Sequence, residues 1–279
     1  MGRPRQIKSL HRQPPAWAWS VATHPNAVGS ERYPCAMRLE RRWLGRVGYD
    51  EAHALQRALV AERAEGRGHD TFLTLEHDPV MTLGRHADPA HLLLKEPEYA
   101  ARGIAVRRVE RGGEVTYHGP GHLVIYPIVA LRANGITLRA HIRALEASLI
   151  AACAAFGIAA TRRDGAPGCW VDDRKIGAIG VRVERGVAWH GAALNIGRDL
   201  APFELINPCG HVGVVSTSVA LERDWQAIAR GDRQALTEAE PEVRLVADMV
   251  AAAYEQELRD YVAHHTILER SAVPAAAGG

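Results

Sequence analysis

Polar and apolar positions alternate between two periods along this chain. Over Tyr49–Glu65, Ala54, Leu55, Ala58, Leu59 and Glu62 keep helical spacing, with Asp50 as a candidate N-cap and Gly66 at the stop. The helical period is clearest over Thr137–Phe156. Thr137 can cap it, apolar residues fall at 138, 142, 145, 149 and 153, and Gly157 follows. A third amphipathic helix is predicted for Val243–His264. Strand-like runs fill much of the remainder: Phe72–Glu76, Val80–Leu83, Ile104–Val109, His122–Leu131, Cys169–Val171, Ile176–Val183 and Val187–Ile196. Pro127 predicts that its strand is bent or lies near an edge. Asp172-Asp173-Arg174 and Glu184-Arg185-Gly186 read as hairpin turns. Strands and helices are intermixed, with adjacent hairpins and no 20–50-residue repeat. That predicts an α+β fold, one domain with a mixed sheet and helices packed on it.

Composition divides the chain. Residues 1–36 carry five of the fifteen prolines, no regular period and a net charge of +4, whereas the rest carries −2. The first segment is expected to be a disordered extension or sequence upstream of a start at Met37; its prolines oppose the amphipathic helix of a mitochondrial presequence. Residues 37–265 are expected to form one folded domain and 266–279 a flexible tail. A slightly acidic body excludes nucleic-acid binding on charge. The most apolar uncharged stretch, Ala147–Ala160, is too short to span a membrane. Four cysteines without a C-x-x-C pair argue against a disulfide framework or a compact zinc site, and for a reducing, cytoplasmic setting. Only three of the 34 basic residues are lysines, Lys8, Lys95 and Lys175.

Three glycine-rich segments concentrate the candidate chemistry. Arg111-Gly112-Gly113-Glu114-Val115-Thr116-Tyr117-His118-Gly119-Pro120-Gly121-His122 joins a permissive backbone to polar side chains, and matches neither a dinucleotide nor a P-loop fingerprint. A tight structural hairpin is the plainer reading. Lys175 heads the apolar run Lys175-Ile176-Gly177-Ala178-Ile179-Gly180. A lysine there either snorkels at a strand edge or, desolvated, serves as a base, which arginine cannot do. Cys209 sits on a constrained turn in Asn207-Pro208-Cys209-Gly210-His211, unlike Cys153, which lies in an apolar run. It is an inert turn residue or a nucleophile. His118, His190, His211 and Cys209 match no compact zinc pattern, so no metal is expected. A Cys–His dyad and phosphate binding by the Gly-Gly loop stay open on the residues alone.

Taken together, these segments resemble the lipoyl(octanoyl) transferase family. The resemblance rests on Arg111–Gly121, Glu76-His77-Asp78-Pro79-Val80-Met81-Thr82-Leu83-Gly84-Arg85, Lys175–Val183, Trp189-His190-Gly191, Ala193-Leu194-Asn195-Ile196, and Pro208-Cys209-Gly210 followed by Ser216-Thr217-Ser218. These run in family order from about residue 38 to 225. The resemblance implies the α+β core shared with biotin and lipoate ligases. It implies transfer of an octanoyl group from octanoyl-acyl carrier protein to a lysine of lipoyl domains, those of 2-oxoacid dehydrogenase complexes or of the glycine-cleavage H protein. It implies Cys209 as the acyl-thioester nucleophile and Lys175 as the group that lowers its pKa. Acyl-substrate contacts are implied for Arg111, Gly112, Gly113, Glu114, Val115, Thr116, Tyr117, His118, Ala178, Ile179, Gly180, Gly191, Ala192 and Ala193. No cofactor is implied, and a monomer is expected. His122, where the family commonly has Gln, His211 after the Pro-Cys-Gly, and Cys169 depart from the pattern. Small residues at 177, 178, 180, 191, 192 and 193 are expected to leave room for an eight-carbon chain. An ATP-dependent ligase, which needs no nucleophilic Cys, and an idle binding module for the carrier or lipoyl domain are the competing readings. Arg41–Arg42, Arg107–Arg108 and Arg162–Arg163 are candidates for docking an acidic carrier.

Overall fold

Nine consecutive buried residues, His122–Ala130 (β6), mark the middle of the larger of two sheets. The computed structural model describes residues 39–207, 214–232 and 234–272, and only the backbone of 237 and 266–272. On one side of β6 lie β2 (Asp70–His77) and then β1 (Leu39–Val47). On the other side lie β9 (Val187–Asn195), β8 (Arg174–Glu184) and β7 (Gly168–Val171). β1 runs parallel to β2, and the other neighbours pair antiparallel.

Pro127 therefore stands in a central strand, not at an edge. The β6–β9 register runs from His122↔Asn195 to Ile125↔Ala192 and resumes at Val129↔Ala188. The pairing lapses across Pro127, opposite the stretch where His190 takes φ +54°. A missing N–H is tolerated inside a sheet where the ladder is already interrupted.

Both faces of the sheet are covered. Leu123, Ile125 and Val129 join a core built with α3 (Leu138–Ala155) and α5 (Val243–Ala272). Val124, Tyr126 and Ile128 pack with Leu59 and Val60 of α1 (Tyr49–Ala64). Each fully buried Leu or Ile contributes about 1.5–3 kcal/mol. The Oγ1 of Thr137 accepts from the Ala140 amide at 3.1 Å, so the predicted cap forms. The α1 cap does not: Gly48 occupies that position, and Asp50 pairs with Arg107 at 2.8 Å. The buried face of α1 is also rotated from the expected one, to Tyr49, Ala52, Gln56, Leu59 and Val60. The polar Gln56 is tolerated there because its Oε1 accepts the His190 N–H at 3.1 Å. α5 continues to Ala272, past the expected end at His264.

A smaller sheet stands beside the larger. In it β3 (Val80–Leu83) pairs parallel with β4 (Ala105–Arg108) and antiparallel with β5 (Val115–His118). Met81, Leu83, Tyr99 and Tyr117 form its separate core. Half of the glycine-rich Arg111–His122 segment is thus strand and turn, not free loop. Two further helices, α2 (Glu96–Ala101) and α4 (Val219–Ala229), complete the described elements together with short 3-10 turns.

Candidate active site

β8 and β9 carry one wall of a cavity of about 460 Å³. Lys175 lines it, as do all fourteen residues expected to contact the acyl substrate: Arg111–His118, Ala178–Gly180 and Gly191–Ala193. The topology explains this meeting. Ala178, Ile179 and Gly180 pair across the sheet with Ala193, Ala192 and Gly191, and the Gly112 amide bonds to the Val181 carbonyl at 3.0 Å.

Lys175 is half-buried, its Nζ 5.2 Å from the Trp170 ring centroid. Its amide donates to the Val215 carbonyl at 2.8 Å, and its carbonyl accepts from the Thr217 amide at 2.9 Å. The 214–217 strip is fixed in turn. Asn195 Nδ2 donates to the Thr217 carbonyl at 2.9 Å, and Thr217 Oγ1 donates to Glu222 at 2.7 Å. Arg174, the neighbour of Lys175, holds the buried Glu222 with two bonds of 2.9 and 3.1 Å. Ser218 caps α4, its Oγ accepting from the Leu221 amide at 3.2 Å. Cys209, with Pro208 and residues 210–213, lies outside the described residues. On its N-terminal side the Asn207 amide donates to the His91 carbonyl at 2.8 Å. On its C-terminal side Val214 and Ser216 line the cavity.

The Arg111 loop meets β8 at Val181, six residues from Lys175, or roughly 20 Å along a strand. Arg111 donates to the Thr82 carbonyl at 2.6 Å and to its Oγ1 at 2.9 Å. Glu114 accepts from His91 Nδ1 at 3.0 Å. Two glycines permit the loop to sit this close. A Cβ on Gly180 would lie 2.7 Å from the Gly112 carbonyl oxygen, and one on Gly84 would lie 2.2 Å from that of Gly113. His118 and His190 are buried, and burial pushes both imidazoles well below their ordinary range. Burial likewise takes His122 down to about 4 and the Tyr117 hydroxyl up to about 12. His122 stacks on Phe203, with ring centroids 5.5 Å apart.

Several expectations change here. The glycines at 177, 180 and 191 do not make room for a ligand: a Cβ on Gly177 meets Leu149 at 2.9 Å, and one on Gly191 meets the Ile125 carbonyl at 2.2 Å. Their smallness serves the protein's own packing. Cys169 is buried, as is Cys153, whose thiol is pushed well above its ordinary value by the neighbouring Cys169 and by burial. Most of the paired arginines are engaged at home. Arg41 bonds to Glu255, Arg42 to Glu40, Arg107 to Asp50, Arg162 to Glu146 and Arg163 to Asp173. Cavity residues without an advance signal include Tyr49, Tyr126, Ile142, Trp170 and the turn at 165–167. Ile142 and Trp170 lie in runs that read as ordinary core.

The comparisons agree with this architecture. The lipoyl protein ligase A/B catalytic domain matches residues 48–226. An octanoyltransferase of Chloroflexus aurantiacus is 47% identical over 183 residues, covering 64% of this chain and 82% of that protein. One of Desulfotalea psychrophila is 44% identical over 182 residues, with the same coverage. Among solved structures, a bi-partite lipoate protein ligase of Thermoplasma acidophilum shares the fold at a TM-score of 0.52 and 15% identity, covering 80% of this chain and 85% of that one. A lipoate-protein ligase A bound with ATP does so at 0.51 and 14%, covering 79% and 95%. No helix among the described residues is long and apolar enough to cross a membrane.

Proposed function

The chain belongs to the lipoyl protein ligase A/B catalytic-domain family, among its octanoyltransferases, and from that premise we propose that it moves an octanoyl group from acyl carrier protein to a lipoyl-domain lysine through a Cys209 thioester. The activity class, octanoyl transfer in protein lipoylation, is that of its relatives. The donor, the covalent intermediate and the acceptors are our reading. One observation carries it. Lys175 and the fourteen acyl-contact candidates line a single cavity, and the strip that follows the Cys209 segment is hydrogen-bonded to Lys175 on both sides of its backbone.

The chemistry follows from the residue types. Lys175 Nζ takes the Sγ–H proton of Cys209, and the thiolate attacks the thioester carbonyl of the octanoyl carrier. The tetrahedral intermediate collapses, and the carrier's thiolate leaves with the proton returned by the Lys175 ammonium. The acceptor lysine, as a free amine, then attacks the Cys209 thioester. The amide forms, the amine's proton passes to the departing thiolate, and Cys209 is restored. Lys175 Nζ lies 5.2 Å from the Trp170 ring centroid, within cation–π range. The Gly112 amide is committed to Val181, so oxyanion stabilisation falls to other amides, with Gly210 the nearest in sequence to the nucleophile. Burial of the acyl chain against Ala178, Ile179 and Ala192 supplies about 0.8 kcal/mol per methylene. The acceptors are lipoyl domains of 2-oxoacid dehydrogenase complexes and the H protein, and the cytoplasm is the compartment, where thiols stay reduced.

The test separates a transferase from a ligase. Incubated with octanoyl-acyl carrier protein and a lipoyl domain without ATP, the protein adds one octanoyl group to the domain lysine. With free octanoate and ATP it adds none. Transfer that needs free octanoate and ATP overturns the proposal.

A further inference from the structure

At the Arg111 end of the cavity, three side chains from three elements converge. His53 comes from α1, Glu110 from the loop after β4, and His190 from β9. Their ligand-type atoms all lie within 4.8 Å of one another. His53 Nε2 is 3.0 Å from Glu110 Oε2, and His190 Nε2 is 3.8 Å from the same oxygen. Ligand atoms about 2.0–2.1 Å from one tetrahedral zinc lie roughly 3.3 Å apart, so these separations bracket such a site.

His190 is the informative member. Its Nε2 is buried and makes no hydrogen bond, since 3.8 Å is too long for one. Such a group calls for an explanation. Its ring is nevertheless held. The backbone sits at φ +54°, which a non-glycine residue adopts only under constraint. Its N–H is fixed by the buried Gln56, and its ring stacks on Trp189 at 4.2 Å. His53 and Glu110 are 26% and 39% exposed, which leaves an approach from solvent.

We propose that His53, Glu110 and His190 form a zinc site, with three protein ligands and a fourth position open to water. The metal would clamp the start of the Arg111–Glu114 loop to α1 and β9, and so brace one wall of the acyl cavity without touching the reacting atoms. On binding, His53 takes the tautomer protonated at Nδ1, any proton on Nε2 being exchanged through solvent, so that Nε2 is free as a ligand. His190 Nε2, buried and without a hydrogen bond, faces the Glu110 carboxylate. Arg57 acts electrostatically on Glu110, and Arg111 on His190. The set weighed from sequence was His118, His190, His211 and Cys209, which fits no compact ligand spacing, and positions 53 and 110 carry no signal of their own. Only the fold brings His53, Glu110 and His190 together.

The experiment uses tag-free, chelator-treated full-length protein carrying Cys209→Ser, which removes the thiol as a competing ligand. Zn²⁺ is titrated by calorimetry and Co²⁺ by visible absorption. One equivalent binds, Co²⁺ gives tetrahedral d–d bands without a thiolate charge-transfer band, and zinc raises Tm. His53→Gln and Glu110→Gln, both at partly exposed positions, each weaken binding at least tenfold and abolish the Tm rise. Absence of stoichiometric binding, or binding unchanged in both variants, overturns the proposal.

Discussion

The two ends of the cavity are built on different principles. Around Lys175 the structure is a set of specific polar bonds: Arg174 to Glu222, Glu222 to Thr217, Thr217 to Lys175 and Asn195. Around Arg111 it is close backbone packing over glycines, backed by buried imidazoles that burial keeps neutral. The first arrangement suits a group whose charge changes during a reaction. The second suits a rigid wall. At one end the reactive cation is held by a polar network; at the other, close packing and buried neutral imidazoles set the wall, with Arg111 tied to Thr82.

The largest expected effect breaks the first end. Lys175→Arg keeps the cation and loses the base, so kcat falls about 10²–10⁴-fold in octanoyl transfer while Tm stays near wild type. A wild-type rate in a steady-state assay would remove Lys175 from proton transfer. Glu222→Gln comes next. It strips the carboxylate from Arg174, which keeps some exposure and a second partner in Asp172. Chemical denaturation should show a loss of about 2–3 kcal/mol, less than for a fully buried pair, together with a several-fold drop in kcat as the 214–217 strip loosens. The smallest effect tests the packed end. Gly180→Ala pushes the Gly112 carbonyl aside at a cost of about 1–2 kcal/mol. KM for the acyl donor should rise with kcat little changed. The opposite pattern, a fall in kcat alone, would mean that the Arg111 loop touches the chemistry.

The same contrast explains what could be read in the amino-acid sequence. Lys175 stood out because this chain otherwise uses arginine, and β8, β9, α3 and the two hairpin turns follow from their patterns of apolar and turn residues. β1 is not legible because it is an edge strand in which four of nine residues are charged and only Leu39 is fully buried. The central place of Pro127 is not legible because a lapse in the ladder is a property of two strands together. Gly180 and Gly191 looked like space for a ligand, and the backbones that fill that space arrive from 112 and 125. Trp170 and Ile142 carry no mark distinguishing a cavity wall from a core.

The central claim is a covalent relay through Cys209, and intact-mass analysis tests it most directly. After incubation with octanoyl-acyl carrier protein and no acceptor, the wild-type chain gains the mass of one octanoyl group. Hydroxylamine removes it, and Cys209→Ser never acquires it. A wild-type chain that transfers octanoate to a lipoyl domain yet never carries the adduct would contradict the relay.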